Sequence, residues 1–185
     1  MLKIVYRNCA GIDVHKKTIV GTIAKTNEQD ITEYQTKSFL TFTEDLIKCR
    51  EWLMANDTKD VCMKSTGKYW IPVFNILEKC CTCIIIHPKY VRTILGKKTD
   101  KKDSVWIADI FRHGLVEPSF MPPEDIRQLR DLMRYRNKLV YNRTGEKNRF
   151  QNSLTVSNVQ IANVLTDVFG KTSQAILKLM LDQPN

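Results

Sequence analysis

The sequence predicts an α/β fold in which a mixed sheet with flanking helices is followed by a long helical arm. Strand-like runs alternate with helix-like apolar spacing only in the first part of the chain. After Met121-Pro122-Pro123 no strand pattern remains. The hydrophobic residues make up 43% of the 185, enough to build one compact core. We therefore predict a sheet domain over residues 1–121 and a helical arm over residues 122–185.

The sheet is predicted to begin with a hairpin, a third strand and a helix. Cys9–Val14 and Thr18–Ala24 have strand patterns separated by a short polar turn, and Ile31–Phe39 adds the third strand. Thr41 or Thr43 is expected to cap the helix that follows. Its apolar stripe consists of Leu46, Ile47, Cys49, Leu53 and Met54.

Two further strands alternate with helices. Asp60–Met63 is a short apolar strand, and Trp70–Leu77 returns to helical spacing. Thr82–Ile86 is an apolar, β-branched run without polar alternation, which is typical of a central strand covered on both faces. Helices are then expected over Lys89–Leu95 and from Asp100 onward. The predicted order is βββαβαβα, followed by helices.

The second part of the chain is predicted to be helical throughout. A long helix should cover Glu124–Leu154, with Gly145 costing about 1 kcal/mol relative to alanine. A shorter helical pair, hinged at Phe169-Gly170-Lys171, should follow. The apolar stripe of the long helix consists of Ile126, Leu129, Leu132 or Met133, Leu139 or Val140, Phe150 and Leu154.

Positive charge is concentrated in two segments. The net charge is +9, and residues 87–103 contribute +4 while residues 127–149 contribute +6. Two basic segments on a near-neutral scaffold indicate a polyanionic partner, most simply nucleic acid. Two solvated helix faces are the alternative interpretation.

The long helix carries the denser basic segment. Tyrosines interleave with the basic residues, and a basic and aromatic surface of this kind suits structured or single-stranded RNA. The alternative is a charged coiled-coil face that serves dimerisation, and both can hold on different faces. We therefore also expect a homo-oligomer formed through the arm. The candidate nucleic-acid contacts are Arg134, Arg136, Lys138, Arg143, Lys147, Asn148 and Arg149.

Several classes of protein are disfavoured. No run reaches the roughly 18 apolar residues of a membrane span, and a signal peptide is missing, so we expect a cytoplasmic protein. The six cysteines are expected to be reduced. Cys80 and Cys83 have metal-ligand spacing, but no second pair follows, which favours small buried side chains over a zinc site.

Three aspartates are candidate ligands of divalent cations. Asp13 lies where the first strand ends, and Asp100 and Asp103 lie three residues apart on one face of a predicted helix. Such a cluster can bind two Mg²⁺ ions for phosphoryl chemistry. The alternative roles are a turn residue for Asp13 and helix-capping residues for the other two.

Several separated blocks together resemble one family. They are Gly11–Lys17, Met63–Gly67, His87–Arg92, Lys98–Ser104, Leu129–Arg149 and Val168–Thr172. In order and spacing they are similar to the DEDD transposases of the Piv/MooV class, which are insertion-sequence recombinases with a RuvC-like N-terminal domain, guided by a bridge RNA. The resemblance implies a ribonuclease H-like fold, DNA and guide-RNA partners, and Mg²⁺ as the cofactor.

The resemblance also assigns individual residues. Asp13, Asp100 and Asp103 match the family's catalytic, metal-binding aspartates, but Lys64 stands at the position of the family's Glu. An ammonium has no lone pair for a metal, so we expect Lys64 to pair with the aspartates and to weaken Mg²⁺ binding. The candidate nucleic-acid contacts near the aspartates are Lys97, Lys98, Lys101 and Lys102.

Catalysis by this chain is therefore not expected. The resemblance implies a C-terminal domain with a nucleophilic serine, which we expect to be missing here. A non-catalytic RNA-binding, DNA-binding or dimerisation module is the main alternative. A sugar-kinase-like or actin-like ATPase is disfavoured, because His15-Lys16-Lys17 replaces the small residues of a phosphate loop.

Overall fold

A computed structural model describes residues 2–64, 67–88 and 100–182, with residues 100–102 described in backbone only. The expected helix over Lys89–Leu95 lies outside the described residues. The chain divides into two compact units, Met1–Met121 and Pro122–Asn185.

Five strands of the first unit form one mixed sheet. They are β1 (Asn8–Val14), β2 (Thr18–Thr26), β3 (Thr32–Leu40), β4 (Asp60–Lys64) and β5 (Thr82–Ile86). Their order across the sheet is β3-β2-β1-β4-β5. The β1–β2 and β2–β3 pairs are antiparallel, and the β1–β4 and β4–β5 pairs are parallel. The predicted mixed α/β sheet is confirmed, with strand bounds that differ by no more than two residues.

Helices cover both faces of the sheet. They are α1 (Thr43–Ala55), α2 (Trp70–Leu77) and α3 (Asp100–Arg112). One apolar cluster joins α1 and α2 to one face, with Leu53 and Leu77 almost fully buried. A second cluster joins α3 to the opposite face through Ile107 and Phe111. The second cluster holds α3 across β1, β2 and β4.

The prediction that Thr82–Ile86 is a central strand is wrong. Within the described part of the chain β5 lies at one edge of the sheet. Its side chains are nevertheless covered on both faces, because Ile85 packs in the first cluster and Ile84 against the second. The apolar run therefore reflects two helical layers rather than a central position.

The predicted threonine cap of α1 is also wrong. The N-cap position is Phe42, which makes no side-chain capping hydrogen bond, and Thr43 is the first helical residue. The Thr41 hydroxyl donates instead to the Lys16 carbonyl oxygen at 3.0 Å. That threonine therefore ties the β1–β2 turn to the end of β3.

The second unit is helical, as predicted. Helix α4 (Glu124–Val156) continues through Gly145, and none of its residues is buried. The predicted helical pair is wrong in its first member, because a single 3-10 turn, Ile161–Asn163, precedes α5 (Lys171–Asp182). Phe169 packs on Phe150 with ring centroids 5.7 Å apart. Among the described residues, no helix is both long and apolar enough to cross a bilayer.

Candidate functional site

Asp13 is the buried centre of the site. It lies near the end of β1, and none of its surface is exposed. Its two carboxylate oxygens face different partners: Oδ2 lies 3.0 Å from His15 Nε2, and Oδ1 lies 3.0 Å from Lys64 Nζ. The approach of Lys64 is an ion pair outside hydrogen-bond geometry, since Oδ1 accepts no hydrogen bond from the described residues. Asp13 is thus enclosed by two basic side chains.

Lys64 reaches this carboxylate because of strand pairing. It is the last residue of β4, which runs parallel to β1, with Ile12 opposite Met63 in the register. Parallel neighbours end at the same side of a sheet, so Lys64 and Asp13 meet there. The Lys64 side chain is only 18% exposed, and its Nζ also lies 3.6 Å from Asp103 Oδ2. One ammonium therefore stands between two carboxylates.

Asp103 is brought to the site by the close approach of α3 to β1. A Cβ atom on Gly11 would lie 2.2 Å from the Ala108 backbone nitrogen and 2.6 Å from the Ser104 carbonyl oxygen, so only glycine permits this packing. Ser104 Oγ and Thr22 Oγ1 share a buried hydrogen bond of 2.8 Å. The first turns of α3 are therefore held against β1 and β2.

The remaining predicted site residues near α3 are not placed. Asp100 begins α3, but its side chain and those of Lys101 and Lys102 lie outside the described residues. Lys97 and Lys98 lie outside them altogether. The structure thus brings together Asp13, Asp103 and Lys64.

The described side chains do not fit a divalent metal. Among them no group of three histidine, cysteine, aspartate or glutamate side chains could hold an ion. Lys64 adds three donors and no lone pair, and its positive charge lies at the carboxylates that a cation would need. The ammonium of Lys64 offsets one of the two described carboxylate charges.

Sequence comparison decides the family. The model of the DEDD transposases of the IS110 type, described as a transposase family, matches residues 10–158. The chain belongs to this transposase family. No curated protein sequence matches it. The fold topology is of the predicted ribonuclease H-like, RuvC-like class, a mixed five-stranded sheet with flanking helices followed by a long helix.

Solved structures with a similar arrangement share little sequence with this transposase chain. Thermus thermophilus RuvC has a TM-score of 0.46 and 10% identity, covering 60% of this chain and 99% of RuvC. The same protein in complex with a Holliday junction substrate has a TM-score of 0.43 and 12% identity over the same shares. The Fowlpox virus resolvase, in complex with Holliday junction DNA, has a TM-score of 0.36 and 14% identity, covering 56% of this chain and 72% of the resolvase.

Sequence reasoning missed two contributors to the candidate site. His15 contacts Asp13 directly, and Gly11 allows α3 to approach β1. His15 directly follows β1 and lies two positions after Asp13, so their closeness in the sequence was a usable signal. The role of Gly11 had no local signal, because Ala108 is distant in the sequence.

The basic residues predicted on the arm are exposed but fall on two faces of α4. At 100° per residue, residues four, seven or eleven apart share a face. Arg134, Lys138 and Arg149 therefore lie on one face. Arg136, Arg143 and Lys147 lie on the opposite face, which also carries Leu129, Leu132, Leu139 and Phe150.

Contacts of the basic residues within the second unit are few. Arg134 lies 3.8 Å from Asp131, and Arg149 pairs with Glu146. Lys147 Nζ stands 4.5 Å from the centroid of the Phe169 ring. Tyr141 is 76% exposed, so an aromatic surface accompanies the charge. The arm thus presents basic and aromatic groups to solvent.

The cysteines pack as small buried side chains. Cys9, Cys49, Cys62 and Cys81 are buried, and Cys80 and Cys83 are half-buried. Burial raises the pKa of the Cys9 and Cys49 thiols from 9.0 to about 12. Cys80 Sγ lies 3.6 Å from Cys81 Sγ, and no third metal ligand joins them among the described residues.

Proposed function

We propose that this transposase-family chain acts in DNA recombination by binding nucleic acid, and that its own acidic site does not support divalent-metal-dependent strand cleavage. The observation that carries the proposal is the position of Lys64 Nζ, 3.0 Å from Asp13 and 3.6 Å from Asp103. The two units would serve as a RuvC-like domain and as an arm leading to a C-terminal serine domain.

Lys64 and a divalent cation would compete for the same carboxylates. Mg²⁺ requires carboxylate oxygens whose lone pairs are free, but Lys64 already neutralises Asp13 and contacts Asp103. A metal entering this site would face the ammonium at short range, in a region where Asp13 is fully buried and solvent screening is weak. Displacing Lys64 would also leave its charge without its partners. Metal affinity should therefore be low.

The arm supports the nucleic-acid part of the proposal. DNA and a guide RNA are the partners that the family resemblance implies, and the basic face of Arg134, Lys138 and Arg149 offers charges for phosphates. The opposite, more apolar face suits self-association through paired helices. The same chain could thus bind nucleic acid on one face and a second copy on the other.

A purely non-catalytic module is the second candidate, and Lys64 favours it. In that case neither this chain nor a complex in which it supplies the acidic site would cleave DNA with Mg²⁺.

The test is titration calorimetry of Mg²⁺ and Mn²⁺ into the chain and into Lys64→Glu, with Lys64→Gln as the matched control. Lys64→Glu should bind at least tenfold more tightly than the unaltered chain, because it supplies a ligand in place of a positive charge. Lys64→Gln removes the charge without adding a carboxylate and should fall between them. Equal Mg²⁺ affinity in the unaltered chain and Lys64→Glu would overturn the proposal. Cleavage of branched DNA by the unaltered chain with Mg²⁺ would also do so.

A further inference from the structure

A cavity of about 670 Å³ lies at the end of the sheet opposite the acidic site. Its walls are the N-terminal segment, the β2–β3 turn and the end of α3. Arg7 lines it directly before β1, whereas Asp13 lies near the other end of that strand. At about 3.3 Å per residue the two sites are roughly 20 Å apart. The cavity is therefore separate from the acidic cluster.

Basic side chains dominate the lining. Lys3, Arg7, Arg112 and His113 line the cavity, and Asp30 is the single acidic residue among its lining residues. Arg7 pairs with Asp30 at 3.2 Å, which leaves Lys3 and Arg112 as formal excess charge. Asp109 lies behind the lining and pairs with Arg112 at 2.6 Å. Even with Asp109 included, positive charge remains in excess.

Arg112 is held in place but not fully satisfied. Its guanidinium donates to Thr32 Oγ1 and to Asp109, and its side chain is only 12% exposed. Its Nε is buried and has no hydrogen-bond acceptor among the described residues. The hydrogen bonds to Thr32 and Asp109 hold this guanidinium in place, so its positive charge is fixed at the wall of the cavity.

The end of α3 would ordinarily repel an anion, since the last carbonyl groups of a helix carry partial negative charge. Here these groups are occupied. The Arg112 carbonyl oxygen accepts from the backbone nitrogens of Val5 and Tyr6 at 2.9 and 3.1 Å. The carbonyl oxygens of Ile110 and Phe111 accept from the Leu115 and Gly114 nitrogens at 2.9 and 2.8 Å. The unfavourable contribution of the helix end is thereby reduced.

The size and the remaining lining of the cavity restrict the classes of ligand that it could bind. Leu2 and Ile4 add an apolar wall beside the basic groups. A volume in the range of small-molecule sites, with an apolar wall and convergent cations, fits an anion that carries a flat or apolar body. A nucleotide phosphate has both parts.

We propose that this cavity binds the phosphate group of a nucleotide, with Lys3, Arg7 and Arg112 around the phosphate and Leu2 and Ile4 against the base. The nucleotide is either free or the 5′ end of a nucleic-acid strand. This inference does not depend on the acidic site, so it stands or falls independently of the metal prediction.

The experiment measures binding of adenosine 5′-monophosphate and of inorganic phosphate to the full chain by calorimetry. Lys3→Glu is the test variant, because Lys3 is exposed and its side chain supports no described element of the fold. Lys79→Glu is the matched control, since it reverses the same charge on an exposed residue that does not line this cavity. Circular dichroism verifies that both variants fold.

We expect Lys3→Glu to weaken binding of both ligands about tenfold or more, because reversing one charge near an anion changes the interaction by about 1.4 kcal/mol or more. Lys79→Glu should leave both affinities within about twofold of the unaltered chain. No binding by the unaltered chain, or equal effects of the two variants, would overturn the proposal.

Two oligonucleotides that differ only in a 5′ phosphate identify the source of the nucleotide. If the phosphate strengthens binding and Lys3→Glu abolishes that gain, the ligand is a strand end. If the phosphate makes no difference while adenosine monophosphate binds, the ligand is a free nucleotide. Either result supports the phosphate site, and neither bears on Mg²⁺ binding by Lys64→Glu.

Discussion

Gly11 of β1 packs directly against the backbone of Ala108 in α3, where an added methyl group would lie 2.2 Å from the Ala108 nitrogen. We predict that Gly11→Ala lowers the free energy of unfolding by about 3 kcal/mol, because α3 must move away from β1 to admit the methyl group. Urea denaturation followed by circular dichroism measures this loss. An unchanged unfolding midpoint would show that α3 does not approach β1 this closely.

Gly145→Ala in α4 should stabilise the chain, in contrast to Gly11→Ala. Nothing lies within 4 Å of a Cβ atom added there, and Gly145 is helical. Alanine should therefore stabilise the helix by about 0.5–1 kcal/mol through its higher helix propensity. Thermal unfolding followed at 222 nm checks the prediction, and a lower melting temperature would contradict it.

Removing the ammonium of Lys64 should destabilise the first unit. Lys64→Met leaves Asp13 fully buried with His15 as its remaining basic partner, and we expect a loss of about 3 kcal/mol in the free energy of unfolding. Lys48→Met is the control, since Lys48 pairs with Asp45 on the surface and its removal should leave the unfolding midpoint unchanged. Comparable effects in urea denaturation would rule out a buried ion pair at Lys64.

Stability should decline at alkaline pH. Burial raises the pKa of Cys9 and of Cys49 from 9.0 to about 12, so the folded chain keeps protons that the unfolded chain releases above about pH 9. The contribution is complete below pH 9 and is lost as pH rises toward 12, at about 1.4 kcal/mol per pH unit for each thiol.

Urea denaturation between pH 8 and pH 11 measures that decline. The double variant Cys9→Ala/Cys49→Ala should show a shallower fall of unfolding free energy with pH, because two of the protons no longer contribute. Identical slopes in the variant and in the unaltered chain would contradict the assignment to these thiols.

The two basic faces of α4 should differ in function. Replacing Arg134, Lys138 and Arg149 with glutamine should weaken binding of nucleic acid at least tenfold. It should also make the slope of log affinity against log salt concentration shallower by about 3, because about three phosphate contacts are lost. Replacing Arg136, Arg143 and Lys147 with glutamine removes the same charge from the apolar face and should mainly change self-association.

Filter binding at several salt concentrations and sedimentation analysis separate these effects. If the second triple variant loses more nucleic-acid affinity than the first, the assignment of the two faces is wrong.

Local sequence determined much of this protein. The strands β1 to β3, the helix α2 and the long helix α4 were predicted within a few residues, because their apolar spacing and turn residues act between near neighbours. The separated motif blocks also indicated the transposase family that the comparison then showed. The prediction of a threonine cap for α1 was wrong, because the Thr41 hydroxyl donates to the Lys16 carbonyl oxygen in the β1–β2 turn.

Only the tertiary structure decided the rest. The edge position of β5 depends on strand pairing, and the neutralisation of Asp13 by Lys64 depends on the parallel alignment of β1 with β4. Arg112 lines the cavity together with Leu2 and Lys3. Gly11 packs against Ala108. Both contacts join residues that lie about 100 positions apart in the sequence of the first unit. Such contacts come from packing between distant segments, which the periodicity of a single segment does not encode.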